Sequence, residues 1–76
     1  MQELFQLIAD LFEEDAQKVN LETVKDDLER WDSMGTIDLV TQLESTYKIS
    51  FELMEVENLT SVKAIVESLQ AKGVQL

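Results

Sequence analysis

The chain has no cysteine, no histidine and no proline among its 76 residues, and only two glycines. Without cysteine there can be no disulfide, and without a Cys/His cluster no structural zinc site. A chain of this length lies near the lower limit for a core that holds without staples, so apolar packing has to carry the fold. The 45% hydrophobic content is enough for that. The lack of disulfides fits a reducing, cytoplasmic setting. The lack of histidine excludes a Ser-His-Asp triad, and no Gly-x-Ser-x-Gly elbow surrounds any serine. No apolar run approaches the roughly 20 residues needed to cross a bilayer. Met1-Gln2-Glu3 carries no basic region, and Glu3 and Asp10 interrupt the first apolar stretch, so neither an export signal nor membrane insertion is expected.

Basic residues are scarce: six Lys and Arg stand against sixteen Asp and Glu, for a net charge of −10. Such a field repels nucleic acid and anionic lipid and attracts partners that present Lys/Arg patches. It does not amount to a calcium loop. The alternating oxygen ligands, central glycine and terminal glutamate do not fall in register around Asp26–Asp38. No metal site is expected.

Strict two-residue alternation is also missing, which argues against a sheet, while helical periodicity is present in three places. Leu4, Leu7, Ile8, Leu11 and Phe12 form one apolar stripe, in a helix predicted to end around Glu14. A second helix is predicted from about Ser33 to Tyr47, with Ile37, Val40, Leu43 and Tyr47 on one side and Leu39 beside them. The last runs from about Ser61 to Lys72 with Val62, Ile65, Val66 and Leu69 inward. Thr60 or Ser61 can cap its start, and Gly73 stands where a left-handed residue is wanted. Between these two lies a short helix predicted from Phe51 to Glu57, with Ser50 as cap, burying Leu53 or Met54 together with Val56. Asp15 to Trp31 reads as a long wrapped loop anchored by Ala16, Val19, Leu21, Val24 and Leu28, with a helical turn near Leu21–Leu28. Loops that long in small domains are often functional. The expected architecture is all-α: a small four-helix bundle in one domain, residues 1–76, with a long loop between helices 1 and 2 and a short third helix.

The most informative stretch is Trp31-Asp32-Ser33-Met34-Gly35-Thr36-Ile37-Asp38-Leu39-Val40, where the loop becomes the second helix. Asp32 is a good N-cap, since its carboxylate can accept from free first-turn amides. Ser33 then occupies the first helical position with its hydroxyl outward, over the positive end of the helix dipole, where a phosphate group is tolerated. With no histidine to activate it, Ser33 reads as an attachment point rather than a catalytic nucleophile.

This stretch is followed by Leu43-Glu44, Tyr47, Ile49 and Phe51, and then by Leu59-Thr60-Ser61-Val62 and Ile65-Val66. The order and spacing resemble the acyl carrier protein family, whose hallmark is Asp-Ser-Leu at the head of the second helix. The resemblance implies a non-enzymatic carrier. A phosphopantetheinyl transferase would move 4′-phosphopantetheine from coenzyme A onto Ser33, and the terminal thiol would then hold cargo as a thioester. Thiol chemistry would thereby reach a chain without cysteine, and tethering would raise the effective concentration of cargo at each partner. Partner binding in the family uses the second and third helices, at positions matching Met34, Asp38, Thr41, Glu44, Glu52 and Glu55. The implied partners are the transferase, an acyl- or aminoacyl-loading ligase, and downstream transferases or synthases with basic docking patches. The carrier is expected to act as a monomer, in biosynthesis of the lipid or secondary-metabolite type.

Met34 stands where the family usually has leucine, and Gly35 where an acidic or polar residue is common. Glycine inside a helix costs about 1 kcal/mol relative to alanine, which points to close approach of a partner. Trp31 and the modest acidity of the second helix point to a specialised stand-alone carrier rather than the housekeeping fatty-acid carrier. Asp32-Ser33-Met34-Gly35-Thr36 is also similar to the motif of D-alanyl carrier proteins, an aminoacyl alternative. Leu59 to Val66 looks more like the stand-alone acyl carriers. A reading of a different class is an acidic interaction module that needs no modification.

Overall fold

The computed structural model describes residues 1–76. It is all-helical: α1 spans Gln2–Phe12, α2 Ser33–Tyr47, α3 Leu53–Glu57 and α4 Val62–Ala71. Two short 3-10 turns, Ala16–Lys18 and Lys25–Asp27, punctuate the long connection from α1 to α2. No strand forms. An isolated antiparallel bridge joins Val24 to Ser61, with Lys25 N–H donating to the Thr60 carbonyl and Val62 N–H to the Thr23 carbonyl, both at 2.9 Å.

Three helices and the connections build the core. α1 contributes Leu4, Ile8, Ala9 and Phe12, α2 contributes Leu39, Val40 and Leu43, and α4 contributes Val62, Ile65, Val66 and Leu69. Val19, Leu28, Trp31 and Leu59 enter from the connecting segments. Each fully buried Leu or Ile contributes about 1.5–3 kcal/mol, so these side chains do the work that staples do in other small folds. α3 supplies none of the buried set; Val56 only packs against its edge. At the other end of α2 the half-buried Tyr47 phenol is pushed above its ordinary pKa by burial and by the charge of Glu3.

Several local expectations need correction. α1 stops at Phe12, not near Glu14, because Glu13 turns left-handed (φ 56°). The Glu14 amide then closes the end onto the Ala9 carbonyl at 2.8 Å. α3 begins at Leu53 rather than Phe51, and Ser50 does not cap it. The Phe51 amide is held instead by Glu44 Oε2 at 2.9 Å, and the Glu52 amide by Glu55 Oε1 at 3.0 Å, which keeps both residues outside the helix. Neither Leu53 nor Met54 is buried; they are 75% and 74% exposed. Ile37 is 57% exposed, and the inward face of α2 is made by Gly35, Thr36, Leu39, Val40 and Leu43.

In the loop, Val19 and Leu28 are the anchors, while Leu21 and Val24 stay exposed. Thr23 is buried in their stead, its hydroxyl donating to the Lys18 carbonyl (2.9 Å) and accepting from the Asn20 amide (3.0 Å). The turn near Leu21–Leu28 is present as Lys25–Asp27. Of the two candidate caps for α4, Ser61 is the one used, accepting from Ala64 N–H at 3.0 Å. Gly73 takes the positive φ (89°) expected beyond the helix end.

Candidate functional site

The start of α2 is positioned from behind by the core. Trp31 is 2% exposed, and its ring stacks on Phe12 of α1 with centroids 5.7 Å apart. Its amide donates to the Leu28 carbonyl at 3.0 Å. Its buried Nε1–H has no partner, so packing of the ring rather than a side-chain hydrogen bond places this side chain. Asp32 follows in extended conformation, and its Oδ1 accepts from Gly35 N–H at 2.8 Å, as an N-cap should. The Asp32 carbonyl accepts both the Thr36 amide (2.8 Å) and the Thr36 hydroxyl (2.9 Å).

Gly35 is buried inside this turn. A Cβ there would collide with the Arg30 carbonyl and lie 3.0 Å from the Phe12 ring. The close approach that glycine permits is therefore internal, between α2, α1 and the incoming chain. An external partner is not needed to explain it.

Ser33 is exposed at the first helical position. Its own amide and that of Met34 have no acceptor within the protein, as expected for first-turn donors. To one side of Ser33 runs a groove of about 310 Å³ between Ser33, Thr36 and Ile37 of α2 and Leu53 and Val56 of α3. Lys25 from the second 3-10 turn also lines it. A larger depression of about 410 Å³ along Lys18, Asn20, Glu22 and Asp27 shares no residue with this groove and is lined almost wholly by polar loop groups. Size alone does not locate the site.

The six residues matched to partner binding fall into two groups. Met34 (72% exposed), Asp38, Thr41 and Glu52 are open to solvent. Glu44 and Glu55 are already engaged. Glu44 holds the Phe51 amide, tying α2 to the segment before α3. Glu55 Oε2 pairs with Lys72 Nζ at 2.7 Å and accepts from Ser68 Oγ at 3.4 Å, tying α3 to α4. The Lys72 hydrogen bond, followed by the Glu52 amide, holds the Glu55 carboxyl below its ordinary pKa. Lys72 also lies 5.0 Å above the Phe51 ring. Sequence reasoning missed Lys25 and Leu53 as surface of this site, because only the packed loop and α3 bring them onto the groove that Ser33 lines.

A family model for the phosphopantetheine attachment site matches residues 2–69, from the start of α1 through most of α4. The chain belongs to this family. No curated protein matches it closely enough to count as a relative. Members of the phosphopantetheine attachment family bind 4′-phosphopantetheine covalently on a serine. They are typically non-catalytic carriers that interact with phosphopantetheinyl transferases and biosynthetic enzymes. The donors around Ser33 suit such a group: an exposed hydroxyl, two first-turn amides without acceptors, and a lysine on the adjoining groove. No helix is long and apolar enough to cross a membrane.

Proposed function

We propose that the chain presents acyl intermediates as thioesters on a 4′-phosphopantetheine arm attached to Ser33, for biosynthesis of the lipid or secondary-metabolite type. One observation carries the reading. Ser33 is an exposed serine at the capped first turn of a 15-residue helix, inside the segment that matches the family. In the modification, Ser33 Oγ forms the new bond to phosphorus and the adenosine bisphosphate portion of coenzyme A leaves. The Ser33 hydroxyl proton passes to a base of the transferase. When attached, the group's thiol supplies the thioester chemistry. Asp32 keeps the turn, and hence the hydroxyl, in place through its bond to Gly35 N–H.

An acyl cargo is supported by the apolar side chains on the groove, Ile37, Leu53 and Val56. An aminoacyl cargo is the second reading, supported by Asp32-Ser33-Met34-Gly35-Thr36. Partners dock on Met34, Asp38, Thr41 and Glu52 around Ser33. Glu44 and Glu55 shape that surface from within, through their hydrogen bonds to Phe51 and Lys72. The net charge of −10 supports partners with basic patches. The protein acts in the cytoplasm as a monomeric domain.

The test is direct. Incubated with coenzyme A and a broad-specificity transferase, the protein is expected to gain the mass of one phosphopantetheine, and Ser33→Ala to gain none. Wild type that stays unmodified while a control carrier is converted would overturn the reading in favour of an acidic interaction module.

A further inference from the structure

Six basic side chains serve a chain of net charge −10, and three of them are spoken for. Lys18 lies 3.8 Å from Glu14, Arg30 2.6 Å from Glu13 and Lys72 2.7 Å from Glu55. Lys25, Lys48 and Lys63 have no carboxylate within ion-pair distance. Lys48 caps the C-terminal end of α2 and Lys63 is exposed on α4, so neither is placed at the start of α2. Lys25 alone among these three shares a groove with Ser33, and it is half-buried where the other two are exposed.

Its backbone is also fixed on both sides. The Lys25 amide donates to the Thr60 carbonyl at 2.9 Å, and its carbonyl accepts from the Leu28 amide at 3.3 Å. The preceding Val24 is bridged to Ser61, and its amide is held by Asp27 Oδ2 at 3.0 Å. A cation without a partner is thus built into the wall beside the serine. Acids are present on the groove and in the same turn, where Asp26 and Asp27 follow Lys25 and the Asp27 carboxylate is engaged with the Val24 amide. Glu57 lines the same groove but makes no ion pair with Lys25, and Asp32 is engaged with the Gly35 amide.

We infer that Lys25 is the counter-ion for the phosphodiester of the prosthetic group on Ser33, a positioning residue that restrains the root of the arm beside the α2–α3 groove. The inference rests on the attachment reading. A phosphodiester adds one more negative charge to an acidic surface, and Lys25 neutralises it locally. The lysine is half-buried and forms no ion pair with Glu57 on the same groove or with Asp26 and Asp27 of its own turn, so its charge is free to pair with the phosphodiester.

The experiment compares wild type, Lys25→Gln and Lys25→Arg, each converted to the phosphopantetheinylated form and verified by mass. The readout is 31P relaxation of the phosphodiester at low and high salt, with thermal midpoints measured in parallel. Lys25→Gln is expected to lower the held population of the phosphodiester by about threefold at low salt, and Lys25→Arg to restore it. High salt is expected to bring wild type to the Lys25→Gln value. Identical 31P relaxation in wild type and Lys25→Gln at low salt would overturn the inference. So would a lowered midpoint in Lys25→Gln with an unchanged 31P signal, which assigns the lysine a purely structural role. Absence of the mass gain in wild type overturns the attachment reading itself, whereas a mass gain without the relaxation change overturns only the role of Lys25.

Discussion

Across the groove beside Ser33, the first turn of α2 is locked by buried backbone and ring contacts, whereas α3 is tied down by two partly buried carboxylates. On the α2 side, Trp31 stacks on Phe12, Gly35 lies against the Arg30 carbonyl, and Thr36 is bonded twice to the Asp32 carbonyl. On the α3 side, five helical residues contribute nothing to the buried core. The element is held by Glu44 to Phe51 and by Glu55 to Lys72. Packing contacts in a core cannot be adjusted without leaving voids or clashes, while a five-residue helix held by a few partly buried polar ties has fewer constraints. The attachment turn is therefore a fixed platform, and the opposite wall, with Leu53 and Met54 outward, is the adjustable one.

The largest effect is expected on the fixed side. Gly35→Ala should destabilise the protein by about 1–3 kcal/mol through overpacking, although alanine is the better helix former. Urea denaturation measures it, and an unchanged or raised midpoint would mean that the turn has room to yield. Glu44→Ala comes next, at about 1–2 kcal/mol, since it removes a charged acceptor from a partly buried amide. Chemical shifts should move around Phe51 and α3 but not around Ser33. Asp38→Ala, on the same helix with no such bond, should leave stability within about 0.5 kcal/mol of wild type.

Asp32→Ala should cost about 1 kcal/mol by removing the cap, and Asp32→Asn should recover most of it. Amide exchange at Gly35 would report the loss directly. The smallest effect concerns pH. The folded pKa of Glu55 lies below its unfolded value, so the stabilisation is present above the ordinary glutamate range and is lost as pH falls through the depressed folded value. Hydrogen exchange in α3 should accelerate on acidification in wild type. In Lys72→Met it should already be fast at neutral pH and change little. Equal pH dependence in both proteins would show that the pair does not hold α3.

Features set by neighbours in the chain were the ones legible beforehand. The start of α2 at its Asp32 cap, a cap for α4 at Thr60 or Ser61 and the left-handed Gly73 all follow from residues within four positions of one another. The inward stripes of α1 and α4 were legible for the same reason, since a long amphipathic helix has one face it can bury. The reading of α3 went astray because five residues are too few for periodicity to define a face, and because Glu44 and Glu55, distant in sequence or already counted as surface acids, set where the helix starts. Ile37 was misplaced because its helical spacing fits the core stripe equally well, and only the position of α3 leaves it on the groove.

By itself the sequence determined that this is a helical protein with no cysteine or histidine side chain of its own, and that one serine sits at a capped helix start. These follow from composition and from hydrogen bonds that close within a turn. Tertiary structure alone decided that Gly35 serves internal packing, that two of the six candidate docking residues are occupied with α3, and that Lys25 stands beside Ser33. Each of these depends on contacts between segments far apart in the chain, which local pattern cannot specify.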